Sequence, residues 1–107
     1  MSDPARYAYD LERKIEKAKK NFEKLCKAEK KSSDLIRIAL YGFFVDGEEW
    51  SIDEIYTKMN QQSNSKYHVS REIVQAYITY MTLDEQLIMS HVDKYELTYN
   101  LRGIWGM

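Results

Sequence analysis

The sequence predicts a mainly helical α+β fold, in which four helices are followed by one small β-hairpin. Three observations carry this expectation. Apolar residues recur at three- and four-residue spacing through successive segments as far as about residue 86, which is the period of an amphipathic helix. Helix-starting residues (Asp3-Pro4, Ser32-Ser33-Asp34, Ser51 and Ser70) stand ahead of each of those segments. Past residue 86 the composition turns to β-rich runs, Leu87 to Val92 and Tyr95 to Tyr99, with Asp93 and Lys94 between them as a tight turn.

At 107 residues the chain has room for one domain and one appendage. Its 44% hydrophobic and 31% charged residues are those of a globular protein, and no stretch approaches the roughly 18 apolar residues of a membrane span. The start, MSDPARYAYDLERK, lacks the apolar run of a signal peptide, and the single cysteine, Cys26, has no internal partner, so an intracellular, cytoplasmic protein is expected. The net charge of -1 hides a division. Residues 1–31 hold ten Lys or Arg and six Asp or Glu, whereas residues 32–107 hold six and eleven. A basic helical segment, 1–31, therefore precedes an acidic domain, 32–107.

In the first helix Asp3 can cap free backbone N–H groups, and Pro4 at the first helical position loses no hydrogen bond. Ala8, Leu11, Ile15, Ala18, Phe22 and Leu25 then fall at alternating spacings of three and four, a heptad seam of about two and a half repeats. Glu16 with Lys20 and Glu23 with Lys27 sit at ion-pairing distance along the helix. A narrow apolar stripe must be covered. A second copy of the chain is the expected cover, which makes these six residues candidate dimerisation contacts; the alternative is packing on the chain's own domain. The lysines of the remaining faces form a solvated surface, or an arm able to meet phosphates.

In the second helix Leu35, Ile36, Ile38, Ala39, Leu40, Phe43 and Phe44 are apolar nearly all round, which predicts a central element. Asp46 and Gly47 form a turn. Ser51 and Glu54 make an S-x-x-E capping box for a third helix expected to bury Ile52, Ile55, Tyr56 and Met59. After the polar stretch QQSNSKYH, Ser70 caps a fourth helix, running to about Gln86, with Val74, Tyr77, Ile78 and Met81 inward.

With its strings VSREIVQAYITYM, LDEQLI and YELTYNLRG in this order, the chain resembles the winged helix-turn-helix superfamily, in particular dimeric bacterial, plasmid or phage regulators. The likeness covers about two thirds of the chain. Its sharpest part is Leu87-Ile88 followed by Tyr95-Glu96-Leu97-Thr98 and then Gly103; the departure is Glu85-Gln86 where the family commonly has glycine before Leu-Ile. The resemblance implies a fourth helix that enters the DNA major groove and a hairpin wing. It implies a dimeric, sequence-specific protein of double-stranded DNA, such as a transcriptional repressor or a plasmid or phage accessory factor.

On that reading, Ser70 opens the recognition helix and Arg71, Gln75 and Thr79 form its outward stripe. Arg71 is suited to guanine and Gln75 to adenine. Lys66, Tyr67 and His68 in the preceding turn and Lys94 and Tyr95 on the wing are the candidate phosphate contacts, and Arg102 beyond the wing faces either DNA or the dimer partner. The acidic balance of residues 32–107 supports a rival, a winged-helix module that binds a basic protein partner instead. Two histidines and one cysteine without metal-ligand spacing, and four glycines without a phosphate loop, lead us to expect no metal, no cofactor and no enzymatic chemistry.

Overall fold

The computed structural model describes residues 4–98. Helix α1 spans Pro4–Ala28, α2 Ser33–Gly42, α3 Ile52–Asn60 and α4 Arg71–Leu83; a single 3₁₀ turn, Ser65–Tyr67, lies between α3 and α4. Strands β1 (Leu87–His91) and β2 (Lys94–Leu97) close an antiparallel hairpin. This is the mainly helical α+β arrangement that the sequence predicts.

The helix starts lie where the side-chain chemistry puts them. Ser32, Ser51 and Ser70 each accept a hydrogen bond from the backbone N–H three residues on, and Glu54 returns the bond to the Ser51 N–H, completing the capping box. The ends are less conventional. Lys30 and Glu85 adopt left-handed backbone, with φ of 59° and 57°. Lys31 N–H reaches Cys26 C=O at 2.8 Å, and Gln86 N–H reaches Met81 C=O at 2.9 Å. Both α1 and α4 thus end in the Schellman arrangement, with a charged residue where glycine is favoured. Helix α4 consequently stops at Leu83, three residues short of the sequence expectation, and Glu85 performs the turn that the missing glycine would make.

The core gathers Phe22 and Cys26 of α1, Ile36 and Leu40 of α2, Phe44 just beyond α2, Ile55 and Met59 of α3, and Leu87 and Leu97 of the hairpin around α4. Six residues of α4 are buried: Ile73, Val74, Ala76, Tyr77, Ile78 and Met81. They include all four expected inward residues. Helix α4 is therefore the central element, rather than α2, whose Ile38 is 67% exposed. Tyr56 of α3, expected in the core, is also exposed. Both residues occupy the outer arc of helices whose inner arcs are already filled by Ile36 and Leu40, and by Ile55 and Met59.

Part of the seam of α1 packs on the chain's own α4. Phe22 is 2% exposed, its ring 5.8 Å from that of Tyr77 on α4, and Cys26 beside it is fully buried. Ala18 and Leu25 border α4 as well, while Leu11 and Ile15 are half-buried and Ala8 is exposed. The C-terminal half of the stripe is thus covered by the chain's own α4. Spacing alone could not assign this, because a heptad stripe fits any helix that offers small and aromatic residues opposite it.

In the hairpin, Leu87 pairs with Leu97, Ile88 with Glu96 and Met89 with Tyr95, and the register shifts between Met89 and His91. The turn falls on Val92 and Asp93, one residue earlier than expected, because Asp93 takes the left-handed conformation (φ 63°) that a short hairpin turn needs. Trp50 bridges Tyr95 from the other side of β2, so the order across the sheet is Trp50, β2, β1. The Trp50 ring stacks edge-on against Phe43, with centroids 5.0 Å apart, which ties the hairpin to the end of α2. Among the described residues, no helix is long and apolar enough to cross a membrane.

Candidate nucleic-acid interface

The exposed part of α4 is a narrow arc. Arg71, Glu72, Gln75 and Thr79 are exposed, while Ala76 and Ile78 to either side are buried. At about 100° per residue these four positions span little more than a quarter of the helix circumference. On one flank lies α1: Ala18, Asn21 and Leu25 form a shallow groove with Glu72, Gln75, Ala76 and Thr79. On the other lies α3, whose Asp53 accepts a 2.6 Å hydrogen bond from Arg71 Nε.

This setting brings three of the expected base-reading residues together and adds a row of cations that the sequence could not attach to them. Lys17 and Lys24 stand four residues before and three residues after Asn21, on the solvent side of the groove, and Lys14 stands four residues before Ala18. All three are exposed. Lys14, Lys17 and Lys24 therefore lie on the side of α1 that carries Asn21.

The approach to α4 is held by hydrogen bonds across the chain. Asn60 Nδ2 donates to Val69 C=O at 2.9 Å, and His68 Nε2 lies 2.7 Å from Gln62 C=O. Lys31 Nζ donates to Ser65 C=O at 2.6 Å. Ser70, expected to open the DNA-binding helix, donates its N–H to the Glu29 carboxylate at 3.1 Å. A carboxylate thus already occupies the anion-favouring end of α4. Lys66 sits over the Tyr67 ring, 5.3 Å from its centroid, and is exposed.

On the hairpin, Lys94 Nζ donates to Glu54 at 2.6 Å. That bond, followed by those from Ser51, holds the Glu54 carboxyl below its ordinary range; Asp53, by hydrogen bond and charge, raises Arg71 above its own. Tyr95 is half-buried, its backbone engaged with Trp50. Arg102, and Tyr99 at the end of the expected second strand, lie outside the described residues. The acids Glu29, Asp53 and Glu54 are the site residues that sequence reasoning missed as partners. Asp53 and Glu54 read as first-turn acids of α3, and nothing in the linear pattern signals a counter-ion 18 or 40 residues away.

Cys26 has no exposed surface. Burial, with Glu29 and Glu23 adding to it, pushes its thiol up to about 11, which removes the thiolate a redox sensor needs near neutral pH. Among the described residues no group of three or more His, Cys, Asp or Glu side chains is placed to hold a metal ion. Comparison of the chain with protein-family models, with curated proteins and with solved structures finds no match.

Proposed function

We propose that the chain is a winged helix-turn-helix protein that binds double-stranded DNA, with α4 as the recognition helix and α1 as its basic flank. The observation that carries this reading is the groove in which Gln75 and Thr79 of the open arc meet Ala18 and Asn21 of α1, with the exposed Lys17 and Lys24 within one helical turn of Asn21. An arc of side chains able to pair with base edges, bordered by cations at phosphate reach, is the division of labour that duplex recognition uses. The order of helices, the capped α4 and a hairpin after it support the fold assignment, and the function fits a repressor or accessory factor. Ala8, Leu11 and Ile15 are the part of the stripe left to a second copy, and a two-fold pairing there would offer two α4 helices to one duplex.

A second reading, a winged-helix module for a protein partner, is favoured by a specific observation. Arg71 and Lys94 are both engaged by acids of a single turn of α3, Asp53 and Glu54. Exposed ion pairs are weak and exchange readily for phosphate, so this pairing lowers DNA affinity without abolishing it.

Fluorescence anisotropy with duplex DNA at low salt tests the two readings together. For DNA binding, Lys17→Glu with Lys24→Glu weakens affinity about tenfold or more and flattens the salt dependence. Arg71→Ala costs about 1–3 kcal/mol, and Asp53→Asn, which frees Arg71, tightens binding a few-fold. Absence of duplex binding by the wild type and Asp53→Asn alike would leave the protein-partner reading in place.

A further inference from the structure

Between α1 and α2 lies a cleft of about 370 Å³. Lys19 and Glu23 of α1 form one wall, Asp34 and Arg37 of α2 the other, and Phe22 and Tyr80, both packed on the core, line its base. The two helices touch and are joined by the short link 29–32, so the chain reverses between them as in a helical hairpin. On each wall the acid stands nearer that link than the cation does: Glu23 nearer than Lys19, Asp34 nearer than Arg37. The cleft is therefore acidic at the link and basic at its far end.

No ion pair joins the walls. Arg37 pairs with Asp34 of its own helix, at 3.4 Å, and Lys19 and Glu23 make no ion pair among the described residues. Like charges gain nothing by closing on one another, so each end of the cleft holds two charges of one sign for an outside group to meet. A buried polar group stands behind the base. Tyr77 is fully buried, its ring lies against Phe22, and its hydroxyl has no hydrogen-bond partner. Burial and then Tyr41 raise the ionisation of that hydroxyl, while the charge of Arg37 lowers it and Tyr80 adds a further rise. The hydroxyl is thus within electrostatic reach of two residues that line the cleft.

We infer that this cleft binds a small ω-amino acid, with its carboxylate between Lys19 and Arg37 and its ammonium between Glu23 and Asp34. The opposite charges of each wall are four residues apart on α1 and three on α2, which sets them about 4.5–6 Å apart along the helix. That separation suits an extended ω-amino acid better than an α-amino acid, whose two charged groups share one carbon. The guanidinium of Arg37 supplies the forked donor that a carboxylate fits best. A nucleic-acid phosphate finds a partner only at the basic end and is repelled at the acidic one. The inference is independent of the DNA reading, which uses none of these four charged residues.

The test is an amide NMR titration of the full chain with 4-aminobutyrate, and with butyrate, butylamine and glycine as controls. Saturable shifts at residues 19–23, 34–37 and 80 are expected with 4-aminobutyrate, and each control, lacking one charge or the spacing, binds about tenfold more weakly. Arg37→Gln and Glu23→Gln, at exposed positions where substitution leaves the fold intact, each weaken 4-aminobutyrate about tenfold as well. Arg71→Ala leaves it unchanged. Equal binding of any control would overturn the inference, because the site would then read one charge or no separation. So would shifts centred on Gln75 or the hairpin, or no saturable binding.

Discussion

Helix α1 and the β1–β2 hairpin are both appendages on the α2–α4 core, yet they treat apolar and charged side chains in opposite ways. Helix α1 turns Phe22 and Cys26 fully inward and keeps Lys14, Lys17 and Lys24 in water. The hairpin turns inward only the leucines at its base, Leu87 and Leu97, and leaves Ile88, Met89 and Val92 outside. The difference follows from what each rests on. Helix α1 lies along α4, where Tyr77 and Ala76 provide a ring face and a hollow; the hairpin reaches the core through the Leu87–Leu97 pair at its base and through Tyr95. A large apolar residue in α1 thus contributes to folding, and one on the wing remains for something else to bury.

The sharpest way to break this contrast is to truncate one residue from each region. Phe22→Ala removes a fully packed ring against Tyr77 and should destabilise the chain by about 3–5 kcal/mol, lowering Tm by roughly 15 °C or more. Ile88→Ser, at a position already wet, should stay within about 0.5 kcal/mol. Chemical denaturation of the two variants measures both. A mild effect of Phe22→Ala would mean that α1 docks only loosely and would return its stripe to a second copy.

These residues also mark what could be read from the sequence. The caps at Ser32, Ser51 and Ser70 and the inward set Val74, Tyr77, Ile78 and Met81 were legible, because a cap is a local bond and a helical face is a local period. The cover for Phe22 was not, since the stripe encodes only that something apolar must lie against it. Ile38 and Tyr56 were misread for a related reason: a helix apolar on most sides gives no sign of which arc meets the core. Of the candidate interface, the arc Arg71, Gln75 and Thr79 was legible from spacing. Its neighbours were not, because Asp53 on Arg71, Glu29 on Ser70 and the α1 residues beside Gln75 come together only through tertiary packing.

A second, smaller effect sharpens the account of α1 through pH. Cys26 is buried as a neutral thiol whose ionisation is pushed from its ordinary value up to about 11. A thiol raised in the fold holds its proton more tightly there than in the unfolded chain. The stabilisation is therefore complete below pH 9 and is lost as pH rises from about 9 through 11. The loss amounts to about 2–3 kcal/mol at the upper end. Burial raises the Tyr77 hydroxyl as well, so some decline persists above pH 10 in any variant that keeps Tyr77. Urea denaturation between pH 8 and 11 should show wild type falling more steeply than Cys26→Ala. Parallel slopes would place Cys26 in water and undo the claim that α1 is sealed against α4.

The smallest effect concerns the joints by which the two appendages leave their helices, and here the contrast disappears. Lys30 after α1 and Glu85 after α4 occupy the same left-handed position of the same terminating motif. A residue with a Cβ pays roughly 1–2 kcal/mol there, partly offset by the greater backbone entropy that glycine loses on folding. Lys30→Gly and Glu85→Gly should therefore each stabilise the chain by about 0.5–1 kcal/mol, measured by thermal unfolding. The gains should be alike despite the different elements that follow, α2 in one case and the wing in the other, because the strain is local to one residue's φ. If only Glu85→Gly stabilises, Lys30 must recover its strain through contacts of its side chain, and the end of α1 is fixed by more than backbone geometry. If both do, the sequence has given up equal stability at two turns that glycine would make more easily.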